Sequence, residues 1–588
     1  MANFLIVVDP DPTRRDAFLR RAEAEISPLE RLVVERRSAG SFGAVWAAGS
    51  NAPISVHDSG GSLAIVWGDA LPAGEDRRIT AEELTAPWKL SPPLCFDGFY
   101  AAAMYDSEAG ISIGGDLLGL FPLYYATDDD VLLAGSSPEL FRLHPLFPTV
   151  PDATGALGLL LGGALFRGRT LLSGVRRLAP GHLLRWTPEC GGEEILQYRI
   201  PTSRELHDAS FAEQVEALDS TWARVVERHS LADSAMGILL SGGRDSRQIA
   251  GYLSEGDAAV TALTLGRLTD YEAECADGVA RVCGFDSWRV ELSDSGLPWA
   301  ADLQARWEHL ATGFASIHMW QAIEPLRDMP PRFFAGYVRE IRERPADATG
   351  WEEFFAAENR LAVPLRVLRE VIRPDAFAVA PEELLLSMRG DYDAGAAAAA
   401  DRPWRWILSH RARSHAGGVP WRLSLASWPV LPILDREALA TLAALPGTCL
   451  VGRRAQDVIL RTRFPHLARL PLDRNSYDVS PVLPSLRDRL ARGVSAGHRA
   501  VDRILTPPRR LPERRYYYRV YDFNGPGWRT VRRRAERNRE RLERWFRMDV
   551  LRDYLPPPEE DVLAEDPIMD SSGRKLLVGL MLWSGRFG

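Results

Sequence analysis

The run from Met236 to Arg247, with Ser241, Gly242, Gly243, Asp245 and Ser246 at its centre, has the residue types and spacing to handle phosphate. Met236 to Leu240 is a short apolar stretch suited to a buried strand. Ser241, Gly242 and Gly243 form a turn that exposes backbone N–H groups, and Arg244 to Ala250 reads as the first turns of a helix. Glycines let the backbone approach a ligand, a helix N-terminus favours anionic oxygens, and the two serines add hydroxyl donors. The Walker A pattern needs a Lys before Ser or Thr and is absent. Asp245 would repel phosphate by itself, so its expected partner is Mg2+.

Such a loop needs a sheet behind it. Val260 to Leu265 is a second apolar strand, and strand–helix–strand implies a parallel sheet with the loop at the carboxyl end of its first strand. Before it, Phe211, Val215, Leu218, Trp222 and Val225 step by four, three, four and three, which is one face of a helix. The chain changes character near residue 205. Residues 1–205 hold short β-like runs between Gly, Pro and Asp, such as Leu63–Trp67, Ala101–Tyr105 and Val131–Ala134, whereas helical patterns dominate 206–588. The run 396–400 is the one low-complexity spot and is expected to be a loop or helix end.

At 588 residues and a net charge of −8, the chain suits a large enzyme with more than one core, and its acidity argues against a dedicated nucleic-acid binder. Five cysteines without C-x-x-C spacing read as reduced thiols, and the N-terminus has no basic signal region, so a cytoplasmic location is expected. The longest apolar stretch, residues 155–166, is too short and Gly-rich for a membrane span. Lys89 and Lys575 are the only lysines, so a catalytic amine has few candidates.

The Ser241–Ser246 loop resembles the pyrophosphate loop of ATP pyrophosphatases, which split ATP into AMP and pyrophosphate. The whole chain resembles the asparagine synthetase B superfamily. The likeness rests on Asp97–Ala101, Tyr105-Asp106, Gly115–Tyr125, Ser136–Glu139 and Pro180–His182 in the first half. In the second half it rests on the loop, Glu272–Ala276, Ala335–Ile341 and Leu434–Glu437. It implies an α/β protein: a degenerate glutaminase-like (Ntn-type) β-sandwich over 1–205 and an ATP-pyrophosphatase parallel-sheet domain (adenine nucleotide α-hydrolase-like) with extra helices over 206–588. It also implies ATP and Mg2+ as cofactors. Ser241, Gly242, Gly243 and Ser246 would hold pyrophosphate, and Asp245 and Glu340 the metal. Leu240, Leu265 and Gly336 would line the adenine and ribose. Tyr337 falls where β-lactam-forming relatives have a Tyr that works with a downstream Glu as a base; Glu370 lies at a similar distance.

Departures from the family narrow the activity. A glutamine-hydrolysing member needs Cys directly after the initiator Met, and this chain has Ala2. Ammonia from glutamine is therefore not the expected nucleophile. Members commonly carry a catalytic Lys after a Leu-Pro, where it stabilises the oxyanion; here Leu470-Pro471 is followed by Arg474, Asn475 and Ser476. A tethered peptide substrate lessens that need, because proximity supplies roughly 7–11 kcal/mol at best. The resemblance thus points to a lasso peptide macrocyclase. It would adenylate an Asp or Glu side chain of a leaderless core peptide, which the peptide's own N-terminal amine then attacks. A leader peptidase and a leader-recognition protein are the implied partners. A β-lactam synthetase-like or ammonia-dependent asparagine synthetase-like amide ligase is the alternative.

Residues 509–547 are basic, with Arg514–Arg519 interleaving guanidinium and aromatic rings. A solvated helix with pairs such as Glu540–Arg544 is the favoured reading, ahead of a peptide or partner surface and of nucleic-acid docking. His318, Trp320 and Gln321 are candidates for an acceptor pocket, with His318 as a packed rather than catalytic residue. Pro556–Glu560 is expected to be a lid or a mobile end.

Overall fold

The computed structural model describes residues 2–267, 270–311, 313–314, 316–336, 349–396, 398–416, 418–473, 480–490, 522–563 and 572–587. The chain is a mixed α/β protein, and the described residues form two six-stranded antiparallel sheets followed by one five-stranded parallel sheet.

The first antiparallel sheet joins β1 (Ala2–Val8), β2 (Val33–Ala39), β3 (Phe42–Ala48), β8 (Tyr124–Asp128), β9 (Val131–Gly135) and β10 (Arg176–Arg177), in the order β10-β8-β9-β1-β3-β2. The second joins β4 (Ile54–Asp58), β5 (Ser62–Gly68), β6 (Tyr100–Asp106), β7 (Gly110–Gly115), β11 (His182–Thr187) and β12 (Gly191–Leu196), in the order β12-β11-β7-β6-β5-β4. The sheets meet face to face. Phe4 of β1 stacks on Trp67 of β5 with centroids 4.2 Å apart, and Phe42 stacks on Tyr105. The helix Pro12–Glu25 lies on the outer face of the first sheet, where Leu19 fills the space above Gly43. The helix Ala81–Lys89 covers the second through Leu84 and Trp88. With both faces covered, β1, β3 and β5 read as unbroken apolar runs rather than as alternation.

The parallel sheet has the order β15-β14-β13-β16-β17, formed by β13 (Ala235–Leu239), β14 (Ala259–Leu265), β15 (Asp286–Val290), β16 (Arg332–Phe334) and β17 (Trp428–Val430). From β13 the chain steps outward to β14 and β15, then returns to lay β16 and β17 on the other side. The strand order therefore reverses between β13 and β16. In open parallel sheets such a reversal opens a crevice at the carboxyl ends of the strands. The periodic run beginning at Phe211 is the helix Phe211–Ser230, with a Ser210–Glu213 capping box.

Buried polar contacts join the two halves. Arg332 of β16 grips Asp69 Oδ2 through Nε at 2.9 Å and a terminal nitrogen at 2.7 Å, and reaches Asp233 at 2.7 Å. The Gly98 N–H donates to the Leu434 carbonyl (2.7 Å), and Arg436 Nε donates to Asp97 (2.9 Å). Two segments that the sequence marks out separately, Asp97–Phe99 and Leu434–Glu437, are thus one joint.

The apolar stretch beginning at residue 155 is a buried helix, Ala153–Gly162, ended by Gly163 in the left-handed conformation. The region after Arg529 is not one solvated helix: Pro526–Glu536 is followed by a short 3-10 turn, Arg539–Arg544. Arg532 and Arg539 are buried there. Arg532 donates to the carbonyls of Pro556 (3.1 Å), Pro557 (2.8 Å) and Glu560 (3.1 Å), while Arg529 pairs with Asp561. Segment 556–561, expected to be a lid or a mobile end, is therefore tied down by these contacts. Residues 514–519 lie outside the described residues.

Candidate functional site

β13 ends at Leu239, and the ladder continues one step as the Leu240 N–H donates to the Leu263 carbonyl (3.0 Å). The Leu240 carbonyl accepts from Thr264 Oγ1 (2.9 Å). Ser241 and Ser246 then close the turn on itself. Ser241 N–H donates to Ser246 Oγ (3.1 Å), the two hydroxyls lie 2.9 Å apart, and Gly243 N–H donates to Ser241 Oγ (3.2 Å). The helix Arg244–Leu253 starts at once, with Gly243 as N-cap and no side-chain cap on its first amides. A helix start of this kind favours anions.

Close packing fixes the loop from three sides. A β-carbon on Gly242 would lie 2.7 Å from Cys275 Cβ and 2.9 Å from Asp473 Cβ, so only glycine fits. A β-carbon on Gly336 would lie 3.1 Å from Asp245 Cβ and 3.3 Å from the Ser246 nitrogen. Gly336 follows β16, and Ala335 N–H donates to the Val430 carbonyl of β17 (3.1 Å). The start of the helix thus faces the reversal between β13 and β16. Burial pushes the Cys275 thiol up to about 12, which keeps it neutral beside the loop.

Arg247 is buried and holds the third side. One terminal nitrogen donates to the carbonyls of Leu467 and Leu470, each at 3.0 Å, and the other to those of Gly242 (3.4 Å) and Pro471. Asp473 N–H donates to the Gly242 carbonyl (3.0 Å). The Leu470-Pro471 segment, singled out for its missing Lys, therefore reaches the loop. Arg474, Asn475 and Ser476 lie outside the described residues.

The helix Arg454–Thr462 supplies contacts that no sequence motif announced. A terminal nitrogen of Arg453 lies 3.1 Å from Asp245 Oδ2, and Gln456 Nε2 donates to Asp245 Oδ1 (3.0 Å) and to Gln248 Oε1 (3.0 Å). Arg244 Nε meets Asp457 Oδ1 at 2.5 Å. Arg453 is the N-cap of that helix and Gln456 and Asp457 lie in its first turn, so all three polar groups come from the helix start.

Of the expected site residues, the structure gathers Leu240, Ser241, Gly242, Gly243, Asp245, Ser246 and Gly336 around the loop. Leu265 ends β14, the neighbouring strand. Tyr337 and Glu340 lie outside the described residues. Glu370 stands exposed on the helix Leu365–Val371, which packs against the helices Ala153–Gly162 and Met548–Tyr554, and its carbonyl accepts from Arg547. None of these elements carries a loop residue, so Glu370 is not brought to the loop. His318 is buried in the short 3-10 helix Ile317–Ala322, and burial lowers it to about 3, so it is a neutral packed group. Among the described residues no cluster of three or more His, Cys, Asp or Glu forms a closed metal site. Mg2+ commonly binds one or two carboxylates and completes its shell with water and phosphate oxygens; Asp245 is such a carboxylate at the helix start, and in this structure its two oxygens are held by Arg453 and Gln456.

Among solved structures, a predicted tRNA methyltransferase subunit from Methanocaldococcus jannaschii aligns with 27% of this chain and 76% of its own, at 18% identity and a TM-score of 0.15. The glutamine phosphoribosylpyrophosphate amidotransferase of B. subtilis, complexed with ADP and GMP, aligns with 51% of this chain and 92% of its own, at 11% identity and a TM-score of 0.21. At these scores neither carries a conclusion about this chain. No protein-family model matches it, and neither does any curated protein. No helix among the described residues is long and apolar enough to cross a membrane.

Proposed function

We propose that this chain is an ATP-dependent, AMP-forming amide ligase that closes a ring within a peptide. The observation that carries the reading is the self-closed Ser241–Ser246 loop at the carboxyl end of β13, facing the strand-order reversal, with glycine enforced at 242 and close packing at 336. Ser241, Gly242, Gly243 and Ser246 bind the pyrophosphate that leaves. The carbonyl of Leu240, Leu265 and Gly336 line the base and ribose; the Leu240 N–H is already used by Leu263. Asp245, with Glu340, would hold Mg2+, which when bound neutralises phosphate charge.

In the first step a substrate carboxylate oxygen attacks the α-phosphorus and pyrophosphate leaves. In the second the peptide's N-terminal amine attacks the acyl carbon, AMP leaves, and the amine proton passes to a base that includes Tyr337. Glu370 has no part in this reading, because its helix packs elsewhere.

The test is ATP consumption by the purified protein with Mg2+, scored for AMP plus pyrophosphate against ADP plus phosphate. A leaderless core peptide with an N-terminal Gly and an internal Asp or Glu is one substrate; aspartate plus ammonia is the other. AMP formation with the peptide, and a product lighter by one water, is expected, and Asp245→Ala should abolish both. AMP only with aspartate and ammonia would make it an asparagine synthetase-like ligase. ADP as the sole product would overturn the loop assignment.

A further inference from the structure

Arg453 occupies a place the loop chemistry does not explain. Its guanidinium lies 3.1 Å from Asp245 Oδ2, and its side chain is only 16% exposed. Its backbone is left-handed, with φ 62° and ψ 34°, directly after Gly452 at φ 59°. An L-residue with a long side chain adopts that conformation at a cost, and such residues persist where their surroundings fix them. Here the backbone turns the guanidinium toward the first turn of the helix Arg244–Leu253. Gln456, three residues on, holds the other oxygen of the same carboxylate. The element around residues 453–456 thus sets both the carboxylate and a cation beside the loop.

We propose that Arg453 is a polyphosphate-binding residue of this site: its ion pair with Asp245 sets the guanidinium in place, from which it donates to the oxygens of the leaving pyrophosphate. The inference rests on the ATP-dependent reading of the loop. A guanidinium presents five N–H donors in a fork that matches phosphate oxygens. Arg453 would also supply positive charge in a chain whose two lysines lie elsewhere: Lys89 ends a helix on the second antiparallel sheet, and Lys575 is buried in the C-terminal helix Ser572–Ser584.

The test measures binding rather than turnover. Inorganic pyrophosphate, AMP and ATP are titrated into the full-length protein with Mg2+ by calorimetry, for wild type, Arg453→Gly and Arg453→Lys. Glycine takes a positive φ without strain, so Arg453→Gly should keep its Tm, which is recorded in parallel. Pyrophosphate and ATP affinity should fall at least tenfold in Arg453→Gly, AMP affinity should stay within twofold, and Arg453→Lys should recover part of the loss. Unchanged pyrophosphate affinity in Arg453→Gly would overturn the proposal and leave the ATP-dependent reading standing. An equal loss of AMP affinity would overturn it too, because a packing role predicts that result. Failure of the wild type to bind either ATP or pyrophosphate would overturn the loop reading and this inference together.

Discussion

Gly336 packs on Asp245 so closely that a β-carbon on the glycine would lie 3.1 Å from Asp245 Cβ. The two residues come from β16 and from the helix after β13, on the two sides of the strand-order reversal. Their contact fixes the distance between the halves of the crevice. Gly336→Ala should therefore keep the fold, with stability changed by about 1 kcal/mol or less, and lower AMP-forming turnover about tenfold by displacing Asp245. Steady-state kinetics with a denaturation curve would check it. Full turnover in the variant would show that the contact does not position the carboxylate.

Arg247 ties the loop to the segment that follows Leu467. Four carbonyls accept from its two terminal nitrogens, and the side chain is fully buried. Arg247→Met keeps much of the volume but removes a donor from all four carbonyls; those of Gly242 and Leu467 keep the N–H groups of Asp473 and Leu470. The expected cost is about 3 kcal/mol or more, read from urea unfolding. A variant as stable as wild type would mean that water or a local shift replaces the guanidinium.

The loop and its sheet were legible in the sequence because their signals are local. A strand, two glycines and a helix start lie within twelve consecutive residues, and β1, β5 and β9 announce themselves as apolar runs. What was not legible depends on residues far apart in the chain. Nothing near Asp245 in sequence points to Arg453 or Gln456, roughly two hundred residues on. Arg532 and Arg539 look solvated by composition, because arginine usually is, yet both are buried by capping carbonyls of their neighbours. Likewise Asp97 and Arg436 each sit in a recognisable motif, and only the fold shows that the motifs bond to each other.

Arg532 makes the tail segment a fixed element. It donates to three carbonyls between Pro556 and Glu560, and its ring neighbour is Phe523, 4.9 Å away. Arg532→Ala should free residues 556–561 and make them a new site of limited proteolysis, with a stability loss of about 2 kcal/mol. Mass spectrometry of the fragments would locate the cut. Resistance equal to wild type would show that the Arg529–Asp561 pair suffices.

Glu139 gives the protein a defined acid limb. Burial alone would raise its pKa, but His309 and Arg586 outweigh that, and the carboxyl is held down at about 2. Arg142 and Arg306 add contacts at 3.3 and 3.2 Å. These partners come from distant parts of the chain: Glu139 and Arg142 follow β9, Arg306 and His309 lie near the end of the helix Leu297–Trp307, and Arg586 follows the C-terminal helix. A carboxylate whose folded pKa is depressed contributes stability above its unfolded value, here near 4.5, and loses it as pH falls through the folded value. The contribution at neutral pH is about 3 kcal/mol, and it should disappear between about pH 4.5 and pH 2. Glu139→Gln removes the titrating group, so its stability should be lower than wild type at pH 7 and the two should converge as the solution is acidified through that window. Urea unfolding at a series of pH values would measure both curves. A difference that stays constant from pH 7 to pH 2 would show that Glu139 acts through packing rather than through its charge.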